Sequence, residues 1–202
     1  MKEFKIPANE YLAKDARAFY HTPYVRMGNP GNPDYLNHLK NTFNNFSAQL
    51  LESAGSALSK VLMEDLPKIL HTLNIQNVTV CVVPRSKAEK VYEKNQLLFK
   101  ATLISVLGKL DGFEDGTDYL CRHIDTKTTH LRNPIQGYVN NGDEPYKGIT
   151  AQTCRVSPQV KGKDILLVDD IYTPGVNIDE DAIQCLINMG ANSVTFYAVG
   201  KV

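Results

Sequence analysis

The sequence lacks several features that would indicate a binding partner or a compartment. Its 22 basic and 22 acidic residues give a net charge of zero, so no global charge attracts it to nucleic acid or an anionic membrane. No apolar run approaches the roughly 18 residues of a membrane helix. The starting segment MKEFKIPANE also lacks the apolar core of a secretion signal. We therefore expect a cytoplasmic protein for which membranes and nucleic acid are not partners.

The four cysteines are widely separated, and no two of them form a C-x-x-C pair. A structural zinc site is therefore not expected. Cys81 lies in an apolar segment and Cys185 lies on the apolar side of a predicted helix. These positions favour buried, reduced thiols, as is usual in cytosolic proteins.

The segment ILLVDDIYTPGVN, residues 165–177, carries the most informative pattern in the chain. Its unbroken apolar start is typical of a strand that is buried on both faces of a parallel sheet. Asp169 and Asp170 then fall at the carboxyl end of that strand, where open α/β sheets bind ligands. Thr173 to Asn177 form a turn whose backbone N–H groups can face an anion at the next helix. This combination predicts a sugar-phosphate site.

Two other classes of protein share the first half of this pattern. Response-regulator receiver domains begin similarly, but they need a phosphoacceptor Asp on a later strand and a much longer segment than the one from Asp170 to Val202. A Walker B strand also ends in two acids, but it requires a P-loop, G-x-x-x-x-G-K-[ST], which the sequence does not contain. For the two acids alone, an acidic strand end that caps a loop remains an alternative.

The rest of the chain predicts alternating strands and helices. VTVCVV (78–83) is a second predicted strand, followed by the basic loop Arg85, Ser86 and Lys87 and by a predicted helix from Ala88 to Lys109. Further elements are expected on apolar periodicity and helix-end signals: helices over 34–65, 66–73 and 179–188, and strands around 149–156 and over 193–199. Helices between strands imply an α/β fold with a central, mainly parallel sheet flanked by helices.

Two regions stand apart from this alternation. Residues 1–33 are polar and aromatic, and we expect them to form an N-terminal arm or hood, continued by a helical extension that offers a homodimer interface. Residues 34–202 are expected to form the α/β domain. Within it, residues 111–162 are mostly irregular, and a stretch of this length is usually a functional or flexible loop.

ILLVDDIYTPGVN resembles the phosphoribosyl pyrophosphate (PRPP) motif of type I phosphoribosyltransferases. Pro174 stands where Thr, Ser or Ala is usual, and Asn177 stands where Ser or Thr is usual. Pro174 removes one backbone donor from the turn. The order of LKNTFNN, VVPRSK, EKNQLLFKATL, RNPIQGY and the two acids is similar to the ComF-like branch of that family.

The resemblance implies an Mg²⁺-dependent transferase that displaces pyrophosphate from PRPP with a base or amine acceptor. It implies Asp169 and Asp170 as the catalytic pair, which would hold the ribose hydroxyls directly or through Mg²⁺. The turn that would bind the 5-phosphate consists of Thr173, Pro174, Gly175, Val176 and Asn177. The loop that would bind pyrophosphate consists of Arg85, Ser86 and Lys87. Candidate donors from a closing loop are Lys127, His130 and Arg132.

The sequence identifies neither the acceptor nor whether the protein catalyses turnover. Thr173 occupies the position that is usually Asp in 6-oxopurine salvage enzymes, which disfavours hypoxanthine and guanine. Orotate, adenine, uracil, an amine or another small molecule remain alternatives. Two other functions also remain: a PRPP-binding regulatory module without turnover, and an interaction subunit that binds a partner through its N-terminal helix.

Overall fold

The structure is a computed structural model that describes residues 1–128, 140–142 and 148–202. The strands in these ranges are β1 (Lys2–Ile6), β2 (Ala16–Pro23), β3 (Val78–Val82), β4 (Phe113–Asp115), β5 (Leu120–Arg122), β6 (Cys154–Val156), β7 (Asp164–Tyr172) and β8 (Ser193–Lys201). The α-helices are α1 (Tyr35–Lys40), α2 (Ala48–Leu73), α3 (Leu98–Leu107) and α4 (Ile178–Asn188).

A central sheet of six strands has the order β1-β2-β8-β7-β3-β4. Each neighbouring pair from β2 to β4 is parallel, and β1 is antiparallel to β2. Strands β5 and β6 form a separate antiparallel pair. The predicted α/β fold with a mainly parallel central sheet and flanking helices is therefore confirmed.

The two faces of β7 explain the unbroken apolar run that marks it in the sequence. Ile165 and Leu167 point into a core that also contains residues of α4, whereas Leu166 and Val168 point into a second core with residues of α1, α2 and α3. All four side chains are buried. A strand covered by helices on both faces needs apolar residues at successive positions.

The N-terminal segment differs from the arm or hood with a helical extension that the sequence predicts. Strand β2 pairs in parallel with β8, and β1 pairs with β2, so both belong to the central sheet. Ala18 and Phe19 are fully buried on opposite faces of β2. This strand is difficult to recognise in the sequence because Arg17, Tyr20 and His21 interrupt its apolar pattern.

The long helix predicted over 34–65 is two helices, because the chain breaks after α1. Asn41 adopts a left-handed conformation, φ 39°, which asparagine tolerates better than most residues. The Ser47 side chain then accepts a hydrogen bond from the Leu50 backbone N–H at 3.3 Å and caps α2. Helix α2 continues through Pro67 to Leu73, which merges the two predicted helical pieces.

The helix predicted from Ala88 to Lys109 is also shorter. Helix α3 covers only Leu98–Leu107, and two 3₁₀ turns precede it, Glu89–Val91 and Lys94–Gln96. The strand predicted around 149–156 is reduced to β6. The predicted strand over 78–83, helix over 179–188 and strand over 193–199 are confirmed as β3, α4 and β8.

Among the described residues, no helix has the length and apolar character required to cross a membrane.

The four cysteines are all free thiols, and Cys81, Cys154 and Cys185 are buried. This agrees with the reduced, buried thiols expected for Cys81 and Cys185.

Candidate functional site

A cavity of about 440 Å³ opens where β3 and β7 end. Because the two strands are parallel neighbours, the residues that follow them meet at the same edge of the sheet. Asp169 and Asp170 line this cavity from β7, and Arg85, Ser86 and Lys87 line it from the loop after β3. The structure therefore brings together the predicted carboxylate pair and the predicted pyrophosphate loop.

The two carboxylates occupy different environments. The Asp170 backbone N–H donates to Asp169 Oδ1 at 2.8 Å, and the Lys40 ammonium lies 3.3 Å from Asp170 Oδ2. Burial and the charge of Asp170 raise the pKa of Asp169 to about 7. Burial alone would lower the pKa of Lys40, but the charges of Asp170 and Asp169 outweigh it and raise that pKa. The site thus pairs one charged carboxylate with an ammonium and holds a second that takes up a proton near neutral pH.

A third carboxyl group lies behind Asp169. Asp179, in the first turn of α4, is 5% exposed. Burial, the charge of Asp169 and a hydrogen bond to Asp169 raise the pKa of Asp179 well above its ordinary value. The same hydrogen bond acts in the opposite direction on Asp169 and lowers its pKa.

The cationic side chains of the predicted pyrophosphate loop donate to the protein's own backbone. Arg85 Nη1 donates to the Gln96 carbonyl, and its guanidinium stacks over the Tyr92 ring at 4.3 Å. Lys87 Nζ donates to the carbonyls of Thr126, at 2.8 Å, and Asn141. Burial is the main reason why the pKa of Lys87 is lowered. These contacts hold the loop in place and direct both charged groups toward carbonyl oxygens.

Three further residues shape this loop, and sequence reasoning missed them. Arg122 donates from Nε to the Arg85 carbonyl at 2.6 Å and from Nη1 to the Gly148 carbonyl at 2.8 Å. The Asp125 carboxylate accepts from the Ala88 backbone N–H at 2.9 Å. The Ser86 hydroxyl bonds to the Thr128 hydroxyl at 2.8 Å. No motif in the sequence indicates these roles, since each depends on contacts between segments that are distant along the chain.

The predicted 5-phosphate turn is well formed. The Val176 backbone N–H donates to the Thr173 carbonyl at 3.2 Å, and Gly175 and Asn177 have positive φ values of 79° and 64°. The Asn177 side chain is held by Asn9, whose amide donates to Asn177 Oδ1 at 3.2 Å. Among the described residues, the cavity lining does not include Thr173 to Asn177. Ile178, which directly follows the turn, does line the cavity, so the turn borders the cavity without contributing to its described wall.

Helix α4 begins with three buried acids directly after this turn: Asp179, Glu180 and Asp181. Glu180 accepts a hydrogen bond from the Tyr172 hydroxyl at 3.0 Å. Carboxylates in the first turn of a helix satisfy the dipole that would otherwise attract an external anion. Any charge on these acids therefore competes with a phosphate for this helix terminus.

The structure describes only one of the three expected loop donors, Lys127. Lys127 lines the cavity, as expected of a residue that could contact a ligand there. His130 and Arg132 lie outside the described residues, as does most of the segment RNPIQGY. Lys40, which lies in the quoted segment LKNTFNN, is the strongest addition to the predicted site because it contacts Asp170 directly.

The donor set suits a hard divalent cation that keeps part of its water shell. No cluster of three or more metal-ligating side chains occurs among the described residues. Mg²⁺ is commonly bound through one or two carboxylates plus substrate oxygens, and Asp169 and Asp170 provide that arrangement on the cavity wall. The residues present therefore fit a metal that arrives together with a phosphorylated substrate.

Comparison with known proteins adds no relative. No protein-family model matches the chain, and no curated protein sequence matches it.

Proposed function

We propose that the protein is an Mg²⁺-dependent phosphoribosyltransferase, which displaces pyrophosphate from PRPP with a base or amine acceptor. The observation that carries this proposal is the shared cavity, into which the acidic pair Asp169–Asp170 and the loop Arg85–Lys87 both open. A cavity of about 440 Å³ lies within the range of about 300–1,000 Å³ that is typical of small-molecule sites.

Each part of the site has a distinct task in this proposal. The carboxylates of Asp169 and Asp170 accept hydrogen bonds from the ribose hydroxyls and stabilise positive charge that develops on the sugar. The loop from Arg85 to Lys87 binds the diphosphate. The bond from the anomeric carbon to the diphosphate oxygen breaks, a bond to the acceptor nitrogen forms, and that nitrogen loses a proton. Bound Mg²⁺ would supply positive charge that neutralises the leaving diphosphate.

The 5-phosphate is assigned to the turn from Thr173 to Asn177. Its support is the resemblance of the motif together with the left-handed backbone at Gly175 and Asn177, a conformation that is common in anion-binding turns. Any negative charge on the acids of α4 opposes the assignment. The turn is therefore expected to bind phosphate more weakly than one that precedes an uncharged helix start.

The direct test is calorimetric titration of PRPP with and without Mg²⁺. We expect saturable, metal-dependent binding that is lost in the double variant Asp169→Asn with Asp170→Asn, because both sugar-binding carboxylates are gone. A matched control is Glu52→Gln with Asp111→Asn, which removes the same charge from exposed positions. Unchanged affinity in the first variant would refute the site. If PRPP binds, pyrophosphate release with a panel of bases and amines tests turnover.

A PRPP-binding regulatory module is the second candidate. It is favoured by the contacts that already occupy the site, since Lys40 pairs with Asp170 and the charged groups of Arg85 and Lys87 donate to carbonyls. Such a site can bind a sugar phosphate without the free donors that turnover needs. Metal-dependent binding with no pyrophosphate release for any acceptor would favour this candidate.

A further inference from the structure

Lys40, the last residue of α1, enters the cavity from a helix to which the sequence assigns no role in binding. Its ammonium lies 3.3 Å from Asp170 Oδ2, and its side chain is 28% exposed. It lines the same cavity as the basic loop after β3. A cation is thus placed against a carboxylate that the proposed function assigns to substrate.

The buried neighbour of Lys40 holds it in this position. Asn41 is fully buried and ends α1 in a left-handed conformation. The Gln96 amide donates to the Asn41 carbonyl at 3.0 Å and to the Thr42 carbonyl at 3.2 Å, and the Asn41 amide donates to the Asn95 carbonyl at 3.4 Å. These bonds attach the end of α1 to the turn before α3, so the backbone under Lys40 is fixed relative to the cavity.

The partner of Lys40 distinguishes it from Arg85, Lys87 and Arg122 on the same cavity wall, whereas Lys100, which also lines the cavity, pairs with Glu89 and Asp118. Arg85, Lys87 and Arg122 donate to backbone carbonyls, so these bonds form part of the loop structure itself. Lys40 pairs instead with Asp170, a side chain that must change partners when a sugar or a metal arrives. Its contact is therefore the one among these four that ligand binding would release.

We propose that Lys40 is a binding residue for the diphosphate of the substrate and exchanges Asp170 for diphosphate oxygens when the site fills. The inference rests on the proposed function. An ammonium has three N–H donors and no acceptor, which suits clustered phosphate oxygens. The diphosphate is favoured over the 5-phosphate because Lys40 lines the cavity with Arg85 to Lys87, whereas the turn from Thr173 to Asn177 does not contribute to the described lining.

The test uses inorganic pyrophosphate and Mg²⁺ as separate probes in calorimetric titrations. The variants are Lys40→Met, which removes the charge, and Lys40→Arg, which keeps it. Lys60→Met is the matched control, since Lys60 is an exposed residue of α2. We expect Lys40→Met to weaken pyrophosphate binding about tenfold or more, the loss typical of one charged hydrogen-bond partner. It should also tighten Mg²⁺ binding in the absence of pyrophosphate, because a competing cation has left Asp170.

The outcomes separate the possible roles of Lys40. A lower pyrophosphate affinity together with tighter Mg²⁺ binding in Lys40→Met, and neither change in Lys60→Met, would support the exchange. Tighter Mg²⁺ binding with unchanged pyrophosphate affinity would reduce Lys40 to a counter-ion of Asp170 and overturn the proposal. Absence of pyrophosphate binding by the wild-type protein would also overturn it.

Two further controls keep the test decisive. Circular dichroism and thermal melting establish that each variant is folded, and Lys40→Gln replaces Lys40→Met if the methionine variant is not. Failure of the proposed function is separately visible. A wild-type protein that binds pyrophosphate through Lys40 and yet binds no PRPP, or transfers no ribosyl group to any acceptor, would retain Lys40 as a pyrophosphate-binding residue and remove the transferase.

Discussion

Replacing Asp169 by asparagine should stabilise the ligand-free protein at alkaline pH while it removes a proposed catalytic group. Burial, aided by the charge of Asp170, raises the pKa of Asp169 to about 7 from an ordinary value of 3.8. Between these two values the folded protein holds a proton that the unfolded chain has lost. The stability of the wild-type protein relative to the asparagine variant must therefore fall as pH rises through this window, and level off above about pH 7.

The magnitude follows from the same two values. The gap of about 3 pKa units corresponds to roughly 4 kcal/mol, since one unit is about 1.4 kcal/mol. About 2 of these units lie above pH 5, so the predicted gain of the variant grows by roughly 3 kcal/mol between pH 5 and pH 8. The hydrogen bond between Asp179 and Asp169 links their titrations and spreads part of this change over a wider pH range, so we expect about 2 kcal/mol to be measured. Asparagine keeps an oxygen that can accept the Asp170 backbone N–H.

The assay is urea unfolding of the wild-type protein and Asp169→Asn at several pH values from 5 to 8. Asp111→Asn serves as a control, because Asp111 is an exposed acid in the loop after α3. The control difference should stay within about 0.5 kcal/mol at every pH, as is usual for surface substitutions. A free-energy difference for Asp169→Asn that does not change with pH would refute the reasoning, because it would mean that Asp169 titrates alike in both states.

Two predictions concern the fold. Tyr197→Phe removes the hydroxyl that donates at 2.9 Å to the fully buried carboxylate of Asp65. Thermal unfolding should show that the free energy of unfolding falls by about 1–3 kcal/mol, and an unchanged melting temperature would contradict this. Gly112→Ala should lower the free energy of unfolding in urea by about 2 kcal/mol more than Gly31→Ala does. Both glycines have positive φ, but a Cβ at Gly112 would lie 2.5 Å from the Gln76 carbonyl oxygen, whereas a Cβ at Gly31 would have no atom within 4 Å. Equal costs would mean that the backbone near Gln76 yields freely.

The fold was most predictable where one local signal decides the outcome. The apolar run of β7 requires a strand covered on both faces, whatever its neighbours are, and the acids after it mark the edge at which it ends. Strand β2 was not predictable, because its place beside β8 depends on pairing between opposite ends of the chain. The break at Asn41 was missed because apolar spacing continues across it, and the bonds from Gln96 that stabilise it come from a distant turn.

The candidate site divides in the same way. The loop from Arg85 to Lys87 was identifiable because it follows β3. Asp169 and Asp170 were identifiable because they follow the apolar run of β7, although the strand itself continues to Tyr172. The contact of Lys40 with Asp170 was not identifiable from the sequence, because it requires α1 to end at Lys40. The hydrogen-bond partners of Arg85 and Lys87 were equally hidden, because they are backbone carbonyls that any residue provides.

The site combines a buried carboxyl group whose ionisation is unfavourable with an ammonium that pairs with a second carboxylate. Ionisation of Asp169 is opposed by burial and by the neighbouring carboxylate of Asp170, and the charge of Lys40 offsets only part of this opposition. A metal with a diphosphate brings positive charge to both carboxylates and negative charge to Lys40 at the same time. We therefore expect the two carboxylates and the ammonium of Lys40 to favour ligand binding rather than the stability of the fold. For this reason Asp169→Asn is expected to stabilise the chain, and Lys40→Met is expected to weaken its binding of pyrophosphate.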